Sequence, residues 1–263
     1  MRDDAAPRWA LGALPELLHG AGGRPLAVFL DFDGTLAPIV PHHADAVLAL
    51  GAREAVAALA RVVPVAVVSG RDLADVRARV GVDGVVYAGS HGLEIETPDG
   101  VHEVAPEARA VLAAATADLQ AALPHESGVL LETKRYGVAV HWRMADPSVV
   151  PAVRRVVDAV LARSPSLRLY EGRKVLELQP DVVWDKGHAV RHLLQAAHTG
   201  AALPWAIYAG DDRTDEDAFR ALGADGTGIV VWDTPRATSA AWWLRDPGEV
   251  TELLRRLSVS RGG

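Results

Sequence analysis

Cysteine is absent from this 263-residue chain, which excludes disulfides, thiolate zinc sites and cysteine nucleophiles. Lysine is scarce: among the 27 basic residues only Lys134, Lys174 and Lys186 are lysines, the rest being arginines. Where arginine fills almost every cationic position, a retained lysine is either a chance survivor or a place that needs a compact point charge. No apolar run approaches the roughly 18 residues that a membrane span requires. No basic tract occurs either, and a formal net charge of −7 argues against a nucleic-acid partner. These absences lead to the expectation of a soluble, cytoplasmic protein with no membrane or nucleic-acid partner; a monomer acting on a small molecule is expected alongside, although no residue pattern fixes the oligomeric state.

What is present is acidic and sharply placed. Asp31-Phe-Asp-Gly-Thr-Leu-Ala-Pro38 follows the apolar run Leu26–Leu30, which reads as a buried strand. Two carboxylates two residues apart at a strand end, followed by a glycine, can converge on one small anionic site. A second acid cluster, Gly210-Asp-Asp-Arg-Thr-Asp-Glu-Asp217, follows another apolar run, Trp205–Ala209. Two acidic strand ends in one α/β chain suggest a hard-cation site that handles phosphate.

Between these clusters, strands alternate with helices. Leucines at helical spacing place a peripheral helix in residues 1–23; a helix is expected over Ala44–Arg61, a strand over Val62–Val68, a helix over Leu73–Val80 and a strand over Val85–Ala88. That rhythm predicts a doubly wound, mostly parallel sheet with ligands at the carboxyl ends of its strands. From Pro106 the order becomes helix Glu107–Leu123, strands Val129–Lys134 and Gly137–Arg143, helix Pro147–Arg163, then strands Leu167–Glu171 and Lys174–Gln179. This is a small α/β module with an antiparallel sheet. The core pattern resumes with helix Lys186–Ala197, strand Trp205–Ala209, helix Thr214–Leu222, strand Thr227–Val231 and a helix near Glu249–Leu257. The expected organisation is a core of residues 1–106 and 183–263, interrupted by a module of residues 107–182.

Each motif admits a chemical reading and a plainer one. Asp31 can attack phosphorus and form an aspartyl-phosphate, with Asp33 as acid and then base; the alternative is a pair of acids capping a turn. Ser69 and the Gly70 amide, at a strand-to-helix turn, can hold phosphate oxygens, although serine is also an ordinary N-cap. Lys186 opens a helix, where the dipole disfavours a cation, so a place beside the two acids is the better reading than a solvated first turn. Asp211 and Asp212 suit Mg²⁺ held by few carboxylates. Asp215 is expected just behind them, while Glu216 and Asp217 read as first-turn acids of a helix. His42 and His43 read as loop residues.

Taken in order, Asp31-Phe-Asp-Gly-Thr35, Ser69, Lys186 and Gly210-Asp-Asp212 resemble the four motifs of haloacid-dehalogenase-superfamily phosphatases. Finer features are similar to one branch, the trehalose-6-phosphate phosphatases: Leu36-Ala-Pro-Ile-Val40, Ser69-Gly-Arg71, Gly89-Ser-His-Gly92, Leu131-Glu-Thr-Lys134, His141-Trp-Arg143 and Gly172-Arg-Lys-Val-Leu-Glu-Leu-Gln-Pro180. The resemblance implies Mg²⁺-dependent hydrolysis of trehalose 6-phosphate on a haloacid-dehalogenase-like, Rossmann-type core, with the inserted module as a cap. It implies Mg²⁺ on the Asp31 carboxylate, the Asp33 carbonyl and Asp211, with Ser69, Gly70 and Arg71 near the phosphate. It also implies a sugar-contacting set of Glu132, Lys134, Arg143, Lys174 and Glu177, with His91 and His141 as neighbours or as structural histidines. Strand parity puts Glu132 with Lys134, and His141 with Arg143, on shared faces; Lys174 and Glu177 share one only if Lys174 lies in the preceding turn. The rivals are a phosphatase for another phosphosugar, of the sucrose-phosphate or mannosyl-phosphoglycerate type, and a non-catalytic sugar-phosphate sensor.

Overall fold

The computed structural model describes residues 6–97, 100–123, 128–172, 174–198, 200, 202–234 and 236–261. Residues 1–5 of the expected N-terminal helix, and Arg173 within the Gly172–Pro180 motif, lie outside the described residues. The chain divides into two compact units, Met1–His102 with Trp184–Gly263, and Glu103–Val183.

The first unit runs β1 (Arg8–Trp9), α1 (Leu14–His19), β2 (Leu26–Leu30), α2 (Ala52–Ala60), β3 (Val65–Val68), α3 (Leu73–Val80), β4 (Val85–Gly89), β5 (Glu94–Thr97) and β6 (Gly100–Glu103). The second unit holds α4 (Ala108–Ala122), β7 (Leu130–Lys134), β8 (Gly137–His141), α5 (Val150–Arg163), β9 (Leu167–Gly172) and β10 (Val175–Pro180). The first then resumes with α6 (Lys186–Ala196), β11 (Trp205–Gly210), α7 (Asp215–Leu222), β12 (Gly226–Val231), β13 (Trp242–Leu244) and α8 (Pro247–Arg261).

The strands of the large sheet lie in the order β1-β13-β12-β11-β2-β3-β4-β5-β6. Pairing is parallel from β1 to β4, and β5 runs antiparallel to β4. Every residue of β2 is buried because both faces of the sheet are covered. Val28 and Leu30 face a core with Val56 and Leu59 of α2, Val76 of α3 and Leu253 of α8. Ala27 and Phe29 face a second core with Leu194 of α6 and Phe219 of α7. Each large apolar side chain so enclosed contributes about 1.5–3 kcal/mol relative to exposure. The chain winds outward from β2 through β3 and β4 on one side, and from β11 through β12 and β13 on the other. The carboxyl ends of β2 and β11 therefore meet where the winding reverses, which is where open α/β sheets form their binding crevice.

Three features differ from the sequence-based expectation. The helix expected to start at Ala44 starts at Ala52, after Gly51 in a left-handed conformation at φ 76°. The preceding segment is committed elsewhere: Arg71 donates to the carbonyl of His43, Arg79 to those of Ala44 and Ala46, and the Ala49 amide to Leu36. A carbonyl bonded outward and an amide bonded to a distant turn cannot also serve a helix ladder. The N-terminal segment forms a short strand beside β13 and only a brief helix. The edge strands β5 and β6, and β13, were not anticipated.

In the second unit the four strands form an antiparallel sheet, β7-β8-β10-β9. Val138, Val140, Leu176 and Leu178 project to one face, where they pack with Leu119 of α4 and Val153 and Val157 of α5. The strand period of two sends their neighbours to the opposite face.

Candidate active site

The geometry starts at the strand ends. The Asp31 amide donates to the carbonyl of Ala209 at 2.9 Å, so the residues after β2 and β11 leave the sheet side by side. Gly34 then turns the chain back at φ 77°, and a Cβ there would lie 2.1 Å from Asp211 Oδ2. Only glycine accommodates both the left-handed backbone and that close approach.

Asp31, Asp211 and Asp215 are all buried, and one carboxylate oxygen from each lies within 4.8 Å of the others. Lys186 is equally buried, at 3% exposure, and its Nζ donates to Asp31 Oδ1 and to Asp215 Oδ1, both at 2.7 Å. Asp185 is the N-cap of α6, accepting from the His188 amide, and this starts the helix so that Lys186 projects into the cluster. Tyr208 donates its hydroxyl to Asp215 Oδ1 at 2.6 Å, and the Asp212 amide donates to Asp215 Oδ2 at 2.8 Å. Asp215, expected behind the acids, lies inside their cluster and orients Lys186. Asp212, expected as a metal ligand, is exposed and accepts from the Arg213 amide.

The four charges share one small, buried space. Burial raises the Asp31 pKa, Lys186 pulls it back, and Asp215 and Asp211 add to the rise, leaving it well above the usual carboxylate value. Burial and then Asp215 push Asp211 up to about 7. For Lys186, burial works to lower the pKa, but Asp215 and Asp31 outweigh it and keep the ammonium protonated. A set of crowded carboxylate oxygens, with no imidazole or thiolate among them, suits a hard divalent cation. Such a cation would offset the burial and the mutual repulsion that raise Asp31 and Asp211, so the residues present fit the metal that the family resemblance implies.

Around this cluster lie the other residues singled out from the sequence. Ser69 follows β3, is buried, and accepts from the Arg71 amide at 3.1 Å. It is not the cap of α3, because that helix begins after Asp72. Arg71 turns its guanidinium onto Asp33 in a two-point fork, Nε to Oδ2 and Nη2 to Oδ1, each 2.7 Å. Its Nη1 donates to Asp75 at 2.8 Å, and its guanidinium carbon lies over the Phe32 ring, 5.2 Å from the centroid. His91 adopts φ 58° and donates its amide to the Ser69 carbonyl, while its ring packs against Gly70.

The second unit carries Glu132, Lys134, His141 and Glu177 on the sheet face opposite its apolar core. Glu132, Ala139 and Glu177 are aligned across neighbouring strands. Lys134 Nζ pairs with Glu177 Oε1 at 3.1 Å, and His141 Nε2 with Glu132 Oε2 at 2.8 Å. Gly137 makes room for the first pair, since a Cβ there would lie 2.7 Å from Glu177 Oε1. Lys174 sits in the β9–β10 turn at φ 62°, outside the parity of β10, and Arg143 lies beyond the end of β8, exposed.

Sequence reasoning did not single out Tyr208, Arg236 or Asp75, the second carboxylate held by Arg71. Tyr208 reads as one more apolar strand residue, and the partners of arginines carry no spacing signal in a chain where arginine is abundant.

A doubly wound sheet that brings two acidic strand ends together at its reversal point has the architecture of the haloacid-dehalogenase-like fold. Solved structures agree. A Candida albicans trehalose-6-phosphate phosphatase C-terminal domain superposes with TM-score 0.75 at 22% identity, covering 98% of this chain and 99% of that one, a likeness of fold alone. An Aspergillus fumigatus trehalose-6-phosphate phosphatase superposes with TM-score 0.69 at 26% identity, covering 97% of this chain and 100% of that one. The chain belongs to the trehalose-phosphatase family, whose sequence pattern matches residues 29–247. It is 46% identical over 261 residues to a trehalose-phosphate phosphatase of Mycobacterium tuberculosis, covering 94% of this chain. It spans 66% of that relative's length.

Proposed function

We propose that this chain hydrolyses trehalose 6-phosphate to trehalose and phosphate, with Asp31 as nucleophile. The observation that carries the reading is the convergence of Asp31, Asp211, Asp215 and Lys186 in one buried cluster at the sheet's reversal point. Lys186 holds the Asp31 carboxylate by one oxygen and leaves the other to meet phosphorus. Ser69 and the Gly70 amide bind phosphoryl oxygens. Asp33 protonates the departing sugar oxygen; once trehalose has left, it deprotonates the water that attacks the aspartyl-phosphate, and phosphate leaves as Asp31 is restored. A Mg²⁺ held by the Asp31 and Asp211 carboxylates and the Asp33 carbonyl would offset phosphoryl charge.

The second unit, over the expected range of residues 107–182, is the cap that reads the sugar. Glu132 and Glu177 accept from hydroxyls, while Lys134, Arg143 and Lys174 donate to them. None of the described helices is long and apolar enough to cross a membrane. The reading places the chain in the cytoplasm as a monomer acting on a small phosphosugar.

The test is phosphate release from a panel of phosphosugars, with and without Mg²⁺. Trehalose 6-phosphate is expected to be the best substrate, activity to require the metal, and Asp31→Asn to release no measurable phosphate while remaining folded. Steady turnover by Asp31→Asn removes the nucleophile assignment, and preference for another phosphosugar removes the substrate assignment.

A further inference from the structure

A segment far from the acids in sequence grips the turn that carries them at two points. Glu216, the second residue of α7, accepts at both oxygens: Oε1 from the Thr238 hydroxyl at 2.6 Å, and Oε2 from the Ser239 amide at 2.7 Å. On the other side of the turn, Arg236 Nη2 donates to the backbone carbonyl of Asp211. The Arg236 guanidinium carbon lies over the Trp232 ring, 4.6 Å from its centroid, and Trp232 directly follows β12, so the group is seated against the end of that strand. Thr238 is fixed in turn, because its hydroxyl oxygen accepts from the Ala240 amide at 3.1 Å. Inside the grip, the turn closes on itself through the Asp212 amide to Asp215 Oδ2 and the Asp215 amide to the Asp212 carbonyl.

We propose that Arg236 and Glu216 are positioning residues that hold the Asp211–Asp215 turn in its cation-binding shape, although neither is among the buried groups Asp31, Asp211, Asp215 and Lys186. A first-turn glutamate with both oxygens taken by a distant segment does more than complement a helix dipole, which a solvated side chain would do equally well. A carbonyl bonded to a guanidinium seated on a ring cannot rotate its peptide freely, and the Cα next to that carbonyl bears the Asp211 carboxylate. Partners of this kind, one step removed from a metal, set the orientation of the ligands and typically govern affinity by about 10- to 100-fold.

The inference rests on the reading of Asp31 and Asp211 as cation ligands, and the experiment separates the two. Mg²⁺ binding is measured by titration calorimetry on the substrate-free protein, with thermal melting alongside. If the wild-type chain binds no divalent cation, the underlying reading fails before any variant is compared. If it binds, Glu216→Ala and Arg236→Ala are expected to weaken Mg²⁺ by about 10-fold or more. Glu216→Gln keeps one acceptor and Arg236→Lys keeps one donor, so both are expected to fall between Ala and wild type. At saturating Mg²⁺ the kcat of each conservative variant returns to within about threefold of wild type, since the defect lies in holding the cation. Unchanged Mg²⁺ affinity in folded Glu216→Gln and Arg236→Lys, or a loss of kcat that metal does not restore, overturns the proposal.

Discussion

Arg71 closes a two-point fork on Asp33, with both nitrogen–oxygen distances at 2.7 Å. Asp33 is the residue proposed to pass protons to and from the sugar oxygen, so its orientation depends on a side chain from the turn after β3. Asp75 and the His43 carbonyl hold the guanidinium from behind. Arg71→Ala should therefore lower kcat/KM for trehalose 6-phosphate by about 10- to 100-fold, a part of the roughly 10²–10⁴-fold that a well-positioned acid–base group supplies. Lysine cannot reproduce the fork and should restore only part of the loss. Steady-state phosphate release decides it: an alanine variant within twofold of wild type makes the fork dispensable.

Lys186 is the only cation bonded to both Asp31 and Asp215 among the described residues, and it is buried with them. Removing one partner from a buried charge set costs about 3–5 kcal/mol, because the remaining charges lose compensation without regaining water. Lys186→Met, which keeps the apolar stem, should lose stability on this scale in urea unfolding as well as activity. A midpoint unchanged from wild type would mean that the acids are neutralised some other way.

Gly34 offers a sharper steric test. Alanine there must adopt φ near 77° and place its Cβ against the Asp211 carboxylate. The left-handed backbone alone costs about 1–2 kcal/mol, and the displaced carboxylate should weaken Mg²⁺ binding. Gly34→Ala is expected to lower both the melting temperature and the cation affinity in calorimetry. A variant that loses neither would mean that the turn has room for a Cβ beside Asp211, contrary to the 2.1 Å approach.

The acid cluster also links stability to pH. In the metal-free protein, burial and Asp215 raise Asp211 from the usual 3.8 to about 7. A carboxyl group raised on folding stabilises the fold fully below its unfolded pKa, and that contribution is lost as pH rises through its folded pKa. Between pH 4 and about 7 the metal-free protein should therefore lose stability from this group. A bound cation favours the ionised form, so the rise in melting temperature on adding Mg²⁺ should be larger at pH 8 than at pH 5.5. Equal rises at both values would show that Asp211 does not exchange a proton for the metal.

The second unit makes a separate prediction. Glu132 and Glu177 each hold a basic partner on the sheet face opposite the unit's apolar core. Glu132→Ala or Glu177→Ala should damage turnover of trehalose 6-phosphate at least about tenfold more than turnover of a small aryl phosphate, because only the former presents hydroxyls to bind. Equal loss on both substrates would remove the sugar-reading role.

By itself, the amino-acid order determined which strands are buried on both faces, that Asp31 and Asp211 end two of them, and that the middle of the chain forms a four-stranded module. These are local signals: an apolar run, an acid at its end and a period of two or 3.6 are each visible within a dozen residues. Tertiary structure alone decided that Asp215 joins the acids while Asp212 faces solvent, since both follow the same strand and differ only in how the turn folds. It also decided that Arg71 clasps Asp33, that arginines draw the residues before Ala52 out of a helix, and that Glu216 answers Thr238 and Ser239. Each of those contacts joins groups whose separation in sequence has no period, and a charged side chain shows its partner only when the backbone brings the two within hydrogen-bonding reach.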